Sequence, residues 1–223
     1  MKPQQTRILP PVLTGVPSLR MPRGPVAGFA VSASFIATLL ALSSWLVMQA
    51  PHVPLLAFAA ACCIVGAALP RGYPHDTFGA CNHVTLARAG LVAFLAGTLL
   101  AEVTAWLILA VASVAFALDG VDGWLARRQG LTSRFGARFD MEVDAALAAT
   151  LALLVLQGGQ VGAEIVVLGF TRYAFVLAAI ALPWLRRDLP GSFRRMAICV
   201  VQIAALLALL VPVMPDALAP AIS

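Results

Sequence analysis

An all-α bundle of about seven transmembrane helices is the fold class this sequence predicts, and three observations predict it. Of its 223 residues, 61% are hydrophobic and only 11% charged, against about 25% charged in an ordinary soluble domain. The apolar residues fall in seven blocks, several near the ~20 residues a helix needs to cross a hydrocarbon core of ~30 Å. The basic residues gather in alternate intervals between those blocks. No soluble fold of this size hides so much apolar surface, and no basic, aromatic-bearing soluble domain is present to bind nucleic acid.

The elements follow in order. Residues 1–25 carry Lys2, Arg7, Arg20 and Arg23 among prolines, without apolar periodicity, and read as a flexible basic leader. Residues 26–48 form the first span and 53–69 the second, joined by a short turn; together they are two additional N-terminal helices (26–69) ahead of a core at 70–223. The first block is longer than a signal-peptide core and is read as a retained span. A polar break at 70–83 precedes the third segment (84–101), and the fourth covers 103–118. The fifth runs 140–156, the sixth 163–185 and the seventh 196–214. The four cysteines show no paired or C-x-x-C pattern, and Cys62, Cys63, Cys81 and Cys199 read as small apolar fillers.

Charge placement sets the topology. With the leader inside, the inside loops are 1–25, 70–88, 119–139 and 186–195, and they hold every Lys and Arg except Arg172. The outside loops hold none, which puts the N-terminus in the cytoplasm and suits a bacterial cytoplasmic membrane. Segments four and five look short for a bilayer. The fifth must therefore begin early enough to include Asp140 and Asp144, which draws the acidic residues to headgroup depth, where an ionised Asp is costly unless paired or metal-bound.

The chemistry lies in residues 119–144, DGVDGWLARRQGLTSRFGARFDMEVD, which contain five of the chain's ten acidic residues. Asp119 and Asp122 are three apart and Asp140 and Asp144 four apart, so on helices each pair shares a face. Glycines and arginines lie between. Two carboxylate pairs across such a connection suggest a divalent metal of the oxygen-preferring kind, Mg²⁺ or Mn²⁺, and a phosphate. Two ions held this way offset charge on attacking and leaving oxygens.

The full pattern is Asp119, Asp122, Gly123, Ala126, Arg127, Gly136, Asp140 and Asp144. It resembles the signature of the CDP-alcohol phosphatidyltransferase family at all eight positions. The resemblance implies that the four Asp are metal ligands for two ions and that Asp144 is also the base for an acceptor hydroxyl. It implies that Gly123 and Ala126 let cytidine lie against the helix, with Arg127 supplying charge and Gly136 counted among the substrate-binding positions. Family members often carry Pro-Asn-x-x-Thr-x-x-Arg before the first core helix. Here Asn82, Thr85 and Arg88 match, with Cys81 in place of the proline, and are read as substrate-binding; the plainer alternative is a helix start with Arg88 snorkelling to the interface. Arg172, the only basic residue inside a span, is expected to meet an acceptor phosphate or a site carboxylate, or else to pair with Glu164. Arg186, Arg187, Arg194 and Arg195 read as an anchor on anionic lipid.

These readings imply transfer of a phosphatidyl group from CDP-diacylglycerol to an alcohol acceptor with release of CMP. The same site would serve phosphocholine or phosphoethanolamine transfer from a CDP-alcohol to diacylglycerol. A cation-coupled transporter is the reading from a different class, and it predicts carboxylates spread along the spans. The family suggests a homodimer. It also has six core spans where five follow residue 84 here, so a last helix is missing or an N-terminal span takes its place.

Overall fold

The computed structural model describes residues 24–159, 161–182 and 193–211; the leader lies outside the described residues. Seven helices and no strand are present among them: α1 (Pro25–Met48), α2 (His52–Gly72), α3 (Gly79–Thr98), α4 (Ala105–Gln129), α5 (Arg134–Gln157), α6 (Glu164–Ala181) and α7 (Phe193–Leu209). Helices α1, α2, α4 and α6 are each long and apolar enough to cross a bilayer. The other three are interrupted by the polar groups they carry inward or are shorter.

Burial is inverted relative to a soluble protein. Leu46 is 69% exposed and Val167 74%, whereas Arg88 is 0% exposed. Apolar side chains that face outward on α1, α2, α4 and α6 are stable there only against lipid. Helix α3 is the axis: α1, α2, α4 and α5 all pack on it, α5 in turn carries α6 and α7, and α1 packs on α2. Close approach explains part of this. A Cβ on Gly90 would stand 2.7 Å from Ile36 of α1, and one on Gly97 would collide with Pro54 of α2, the small-residue contact that lets helices pack without a hydrophobic driving force. Hydroxyls on the apolar helices bond back to their own backbone, Thr98 to the Leu95 carbonyl and Thr150 to that of Ala146.

Several sequence expectations are corrected. The interval 119–139 is not a loop. Helix α4 continues to Gln129, and α5 begins at Arg134; the hydropathy falls because charged residues start, not because the backbone leaves the helix. Only residues 130–133 turn. Gly130 ends α4 in the left-handed conformation (φ 66°), where glycine avoids a Cβ clash, and Ser133 starts α5 by accepting the Gly136 N–H at 2.9 Å. At about 1.5 Å per residue, α4 is ~37 Å long, so neither helix is short. Arg88, placed both in the third segment and in the 70–88 inside loop, belongs to α3 alone and is buried. Without it the charge asymmetry stays one-sided. The sixth segment also stops at Ala181 and not at 185. Arg186 and Arg187, with the side chains of Arg194 and Arg195, fall outside the described residues.

Candidate active site

Helices α4 and α5 are joined by a four-residue turn and both pack on α3, which brings residues at similar distances from the turn together. Asp119 and Asp122 on α4 meet Asp140 and Asp144 on α5 in this way. Carboxylate oxygens of Asp119, Asp140 and Asp144 lie within 4.8 Å of one another. Asp122 is 3% exposed.

Arg88 of α3 stands at the centre. Its Nη2 is 3.0 Å from Asp119 Oδ1 and also bonds Asp144 Oδ1. Its Nη1 is 2.8 Å from Asp122 Oδ2 and 2.5 Å from Asp140 Oδ1, and its Nε donates to the Ala115 carbonyl at 3.2 Å. One guanidinium therefore touches all four acids. Thr85 Oγ1, one turn earlier on α3, is 2.9 Å from Asp122 Oδ2 and 3.1 Å from the Cys81 carbonyl. From sequence Arg88 was expected on substrate; the structure puts it on the carboxylates.

This donor set fits divalent metal. Four carboxylates facing one guanidinium leave an excess of three negative charges if all are ionised, and such an excess in a desolvated site calls for further cations. Asp122 Oδ1 is buried with no hydrogen-bond partner among the described residues, an acceptor left waiting for a ligand. All the donors are oxygens, the preference of Mg²⁺ and Mn²⁺.

Beside the cluster opens a cleft of about 200 Å³. Asn82, Thr85, Asp122, Gly123, Ala126, Arg127, Gly136 and Asp140 line it. Six sequence-predicted substrate positions are thus on one surface, contiguous with two of the four acids. A Cβ on Gly136 would stand 3.2 Å from Ser133 Oγ and 3.4 Å from Asn82 Oδ1, so a larger residue there would intrude between the walls. Cys81, Thr132 and Ser133 also line the cleft, and Cys199 Sγ of α7 lies 4.0 Å from Asp144 Oδ2. Sequence reasoning read the two cysteines as apolar fillers and passed over Thr132 and Ser133. Ser133 alone had a legible signal, as a helix cap.

Arg172 is elsewhere. Its Nε donates to Glu142 Oε2 at 3.2 Å and its Nη2 to Glu142 Oε1; it reaches neither Glu164 nor any of the four acids. The reason is helical phase: Glu142 is two residues, or about 200°, from both Asp140 and Asp144, so the carboxylate that Arg172 meets points away from the cluster.

Residues 78–222 match the family model described as CDP-alcohol phosphatidyltransferase. No curated protein and no solved structure matches the chain. The matched stretch contains the four acids, Arg88 and every cleft residue named above, so motif, geometry and comparison rest on the same residues. The chain belongs to the CDP-alcohol phosphatidyltransferase family, membrane-embedded phosphotransferases that move a phosphatidyl or phospho-alcohol group from a CDP-alcohol to an alcohol acceptor.

Proposed function

We propose that this chain transfers the phosphatidyl group of CDP-diacylglycerol to the hydroxyl of an alcohol acceptor, releasing CMP. The observation that carries the reading is the junction of the Arg88-centred carboxylates with a cleft lined by Gly123, Ala126, Arg127 and Gly136. A nucleotide in that cleft lies against α4 with its phosphates toward the acids. Asp119, Asp122, Asp140 and Asp144 would hold two divalent ions, Mg²⁺ or Mn²⁺, which when bound offset charge on the phosphate oxygens. Arg127 adds positive charge at the cleft wall. Asn82 and Thr85 line the opposite wall from α3.

Asp144 is the proposed base. Its Oδ1 is committed to Arg88, while among the described residues Oδ2 is bonded only by the Cys199 thiol, at 4.0 Å, so this oxygen is the one proposed to take the acceptor's proton. The acceptor oxygen then bonds to the phosphorus that bears the diacylglycerol group. The bond from that phosphorus to the bridging oxygen breaks, and CMP leaves with that oxygen.

The placement also supports a depth. About 21 Å of α4 precedes Asp119, counting ~1.5 Å per residue from Ala105, which sinks the cluster within a ~30 Å hydrocarbon layer. A lipid donor can keep its tails in the bilayer at that depth. With seven spans and the basic residues on one side, the leader and the site face the cytoplasm, in a bacterial inner membrane. A homodimer belongs to the proposal by family analogy alone.

The test is product analysis in sealed inside-out vesicles containing the chain, supplied with labelled CDP-diacylglycerol, Mg²⁺ or Mn²⁺, and a panel of alcohols and sugar phosphates. CMP should appear outside these vesicles, stop on chelation, and fall by about 10²–10⁴-fold in Asp144→Asn. Product from CDP-choline and diacylglycerol, with none from CDP-diacylglycerol, would overturn the donor assignment. Release confined to right-side-out vesicles would overturn the orientation.

A further inference from the structure

The N-terminal hairpin reaches the cleft through one residue. Tyr73 ends α2 and lies outside the stretch that matches the family model. Its hydroxyl donates to the Phe78 carbonyl at 3.1 Å and accepts from Asn82 Nδ2 at 2.9 Å. Asn82 Nδ2 also donates to the Phe78 carbonyl at 2.5 Å. The orientation of the amide follows from chemistry, because a carbonyl oxygen only accepts and the Asn82 atom facing it must be nitrogen. Both N–H groups of Asn82 are thereby used inside the protein.

What remains of Asn82 is its carbonyl oxygen. Asn82 is 2% exposed and lines the cleft. Its Oδ1 lies against Gly136 of α5, and no donor among the described residues is bonded to it. The residue therefore offers the cleft an acceptor and no donor. Tyr73 is itself fixed. Its ring meets Phe135 edge-on at 5.5 Å and His75 at 5.3 Å. Burial pushes its phenol pKa above the ordinary value, so at neutral pH the hydroxyl keeps the proton it donates to Phe78.

We propose that Tyr73 is a positioning residue that holds the Asn82 amide with its carbonyl oxygen toward the cleft, so that the cleft selects a base presenting an N–H there. This rests on the reading of the cleft as a nucleotide site. Cytosine carries an exocyclic amine where uracil carries a carbonyl, and a fixed acceptor distinguishes the two: it pairs with the first and opposes the second. Without the tyrosine hydroxyl one buried N–H of Asn82 loses its partner. The amide is then held by the Phe78 carbonyl alone, and its own carbonyl oxygen is fixed less firmly toward the cleft.

The experiment is equilibrium binding of CMP and UMP to the full chain in detergent with Mg²⁺, for wild type, Tyr73→Phe, Asn82→Ala and the double variant. Tyr73→Phe keeps the ring contacts and should fold. Wild type should prefer CMP, and Tyr73→Phe should narrow the CMP-to-UMP affinity ratio by about three- to tenfold. Mg²⁺ affinity should be unchanged, since Tyr73 touches none of the four acids. In the Asn82→Ala background, Tyr73→Phe should change the ratio no further, because the hydroxyl acts through that amide. Phe135→Leu, which disturbs the ring and leaves the hydroxyl, should lower stability and keep the ratio. A Tyr73→Phe ratio equal to wild type, or an equal effect with and without Asn82, would overturn the inference while leaving the cleft assignment standing. Wild type with no preference for CMP would overturn the cleft assignment itself, and the inference with it.

Discussion

Arg88 shows how much a single side chain can decide. It is fully buried and bonds four acids drawn from two other helices, so it is the internal counter-charge that lets them converge. Breaking a buried pair by removing one partner typically costs about 3–5 kcal/mol. Arg88→Met should therefore lower the thermal unfolding midpoint sharply in chelator, and Mg²⁺ or Mn²⁺ should recover more stability in the variant than in wild type. Equal metal-induced shifts in the two proteins would argue against this role. The four acids were legible from sequence because their spacing puts each pair on one helix face. The role of Arg88 was not, because a spacing pattern carries no distances between helices. One signal was nevertheless available: a basic residue in an apolar helix, in a chain with an acidic cluster at similar depth, has its counter-charges named in advance. Arg172 shows the limit of the same logic. It too needed a carboxylate, and only the phase of α5 determines that the carboxylate is Glu142.

At the scale of elements, the 130–133 turn sets the register of the site. Asp119 and Asp122 precede it and Asp140 and Asp144 follow it, so a slip at either end would move one pair against the other. Ser133→Ala removes the acceptor for the Gly136 N–H and should cost about 1 kcal/mol, read as a midpoint lowered by ~2–4 °C. The same variant should weaken metal binding, because Asp140 lies on the helix that the cap begins. An unchanged midpoint together with unchanged metal affinity would show that the cap does not set the register. Hydropathy located all seven helices and misjudged where α4 and α5 meet, since apolar content stops at Leu118 while helical hydrogen bonding continues. The correct boundary was written in Gly130 and Ser133, a helix stop and a helix start three residues apart. Their chemistry is local and independent of the surrounding charge.

For the whole molecule, the fold class followed directly from composition, since outward-facing apolar helices around a charged interior match 61% hydrophobic residues. The arrangement around α3 did not, because apolar blocks of similar character do not encode which neighbours they choose. That arrangement has a consequence for how the chain is made. Arg88 leaves the ribosome before every one of its counter-charges, the last of them 56 positions later. At about 5–20 residues per second that interval is roughly 3–11 s. An arginine near the centre of an inserting helix costs about 2.5–3.5 kcal/mol on the insertion scale, and α5 carries several charges of its own. A chain arrested after α3 should therefore integrate less completely than one extended through α5, measured by protease protection of nascent chains; equal integration would contradict it. On that expectation α1 and α2 enter lipid as they emerge, whereas α3 is held at the insertion machinery until its acids are translated. The charge network that organises the finished site thus also makes its assembly a timed event, in which an early helix is released into the bilayer by a later one.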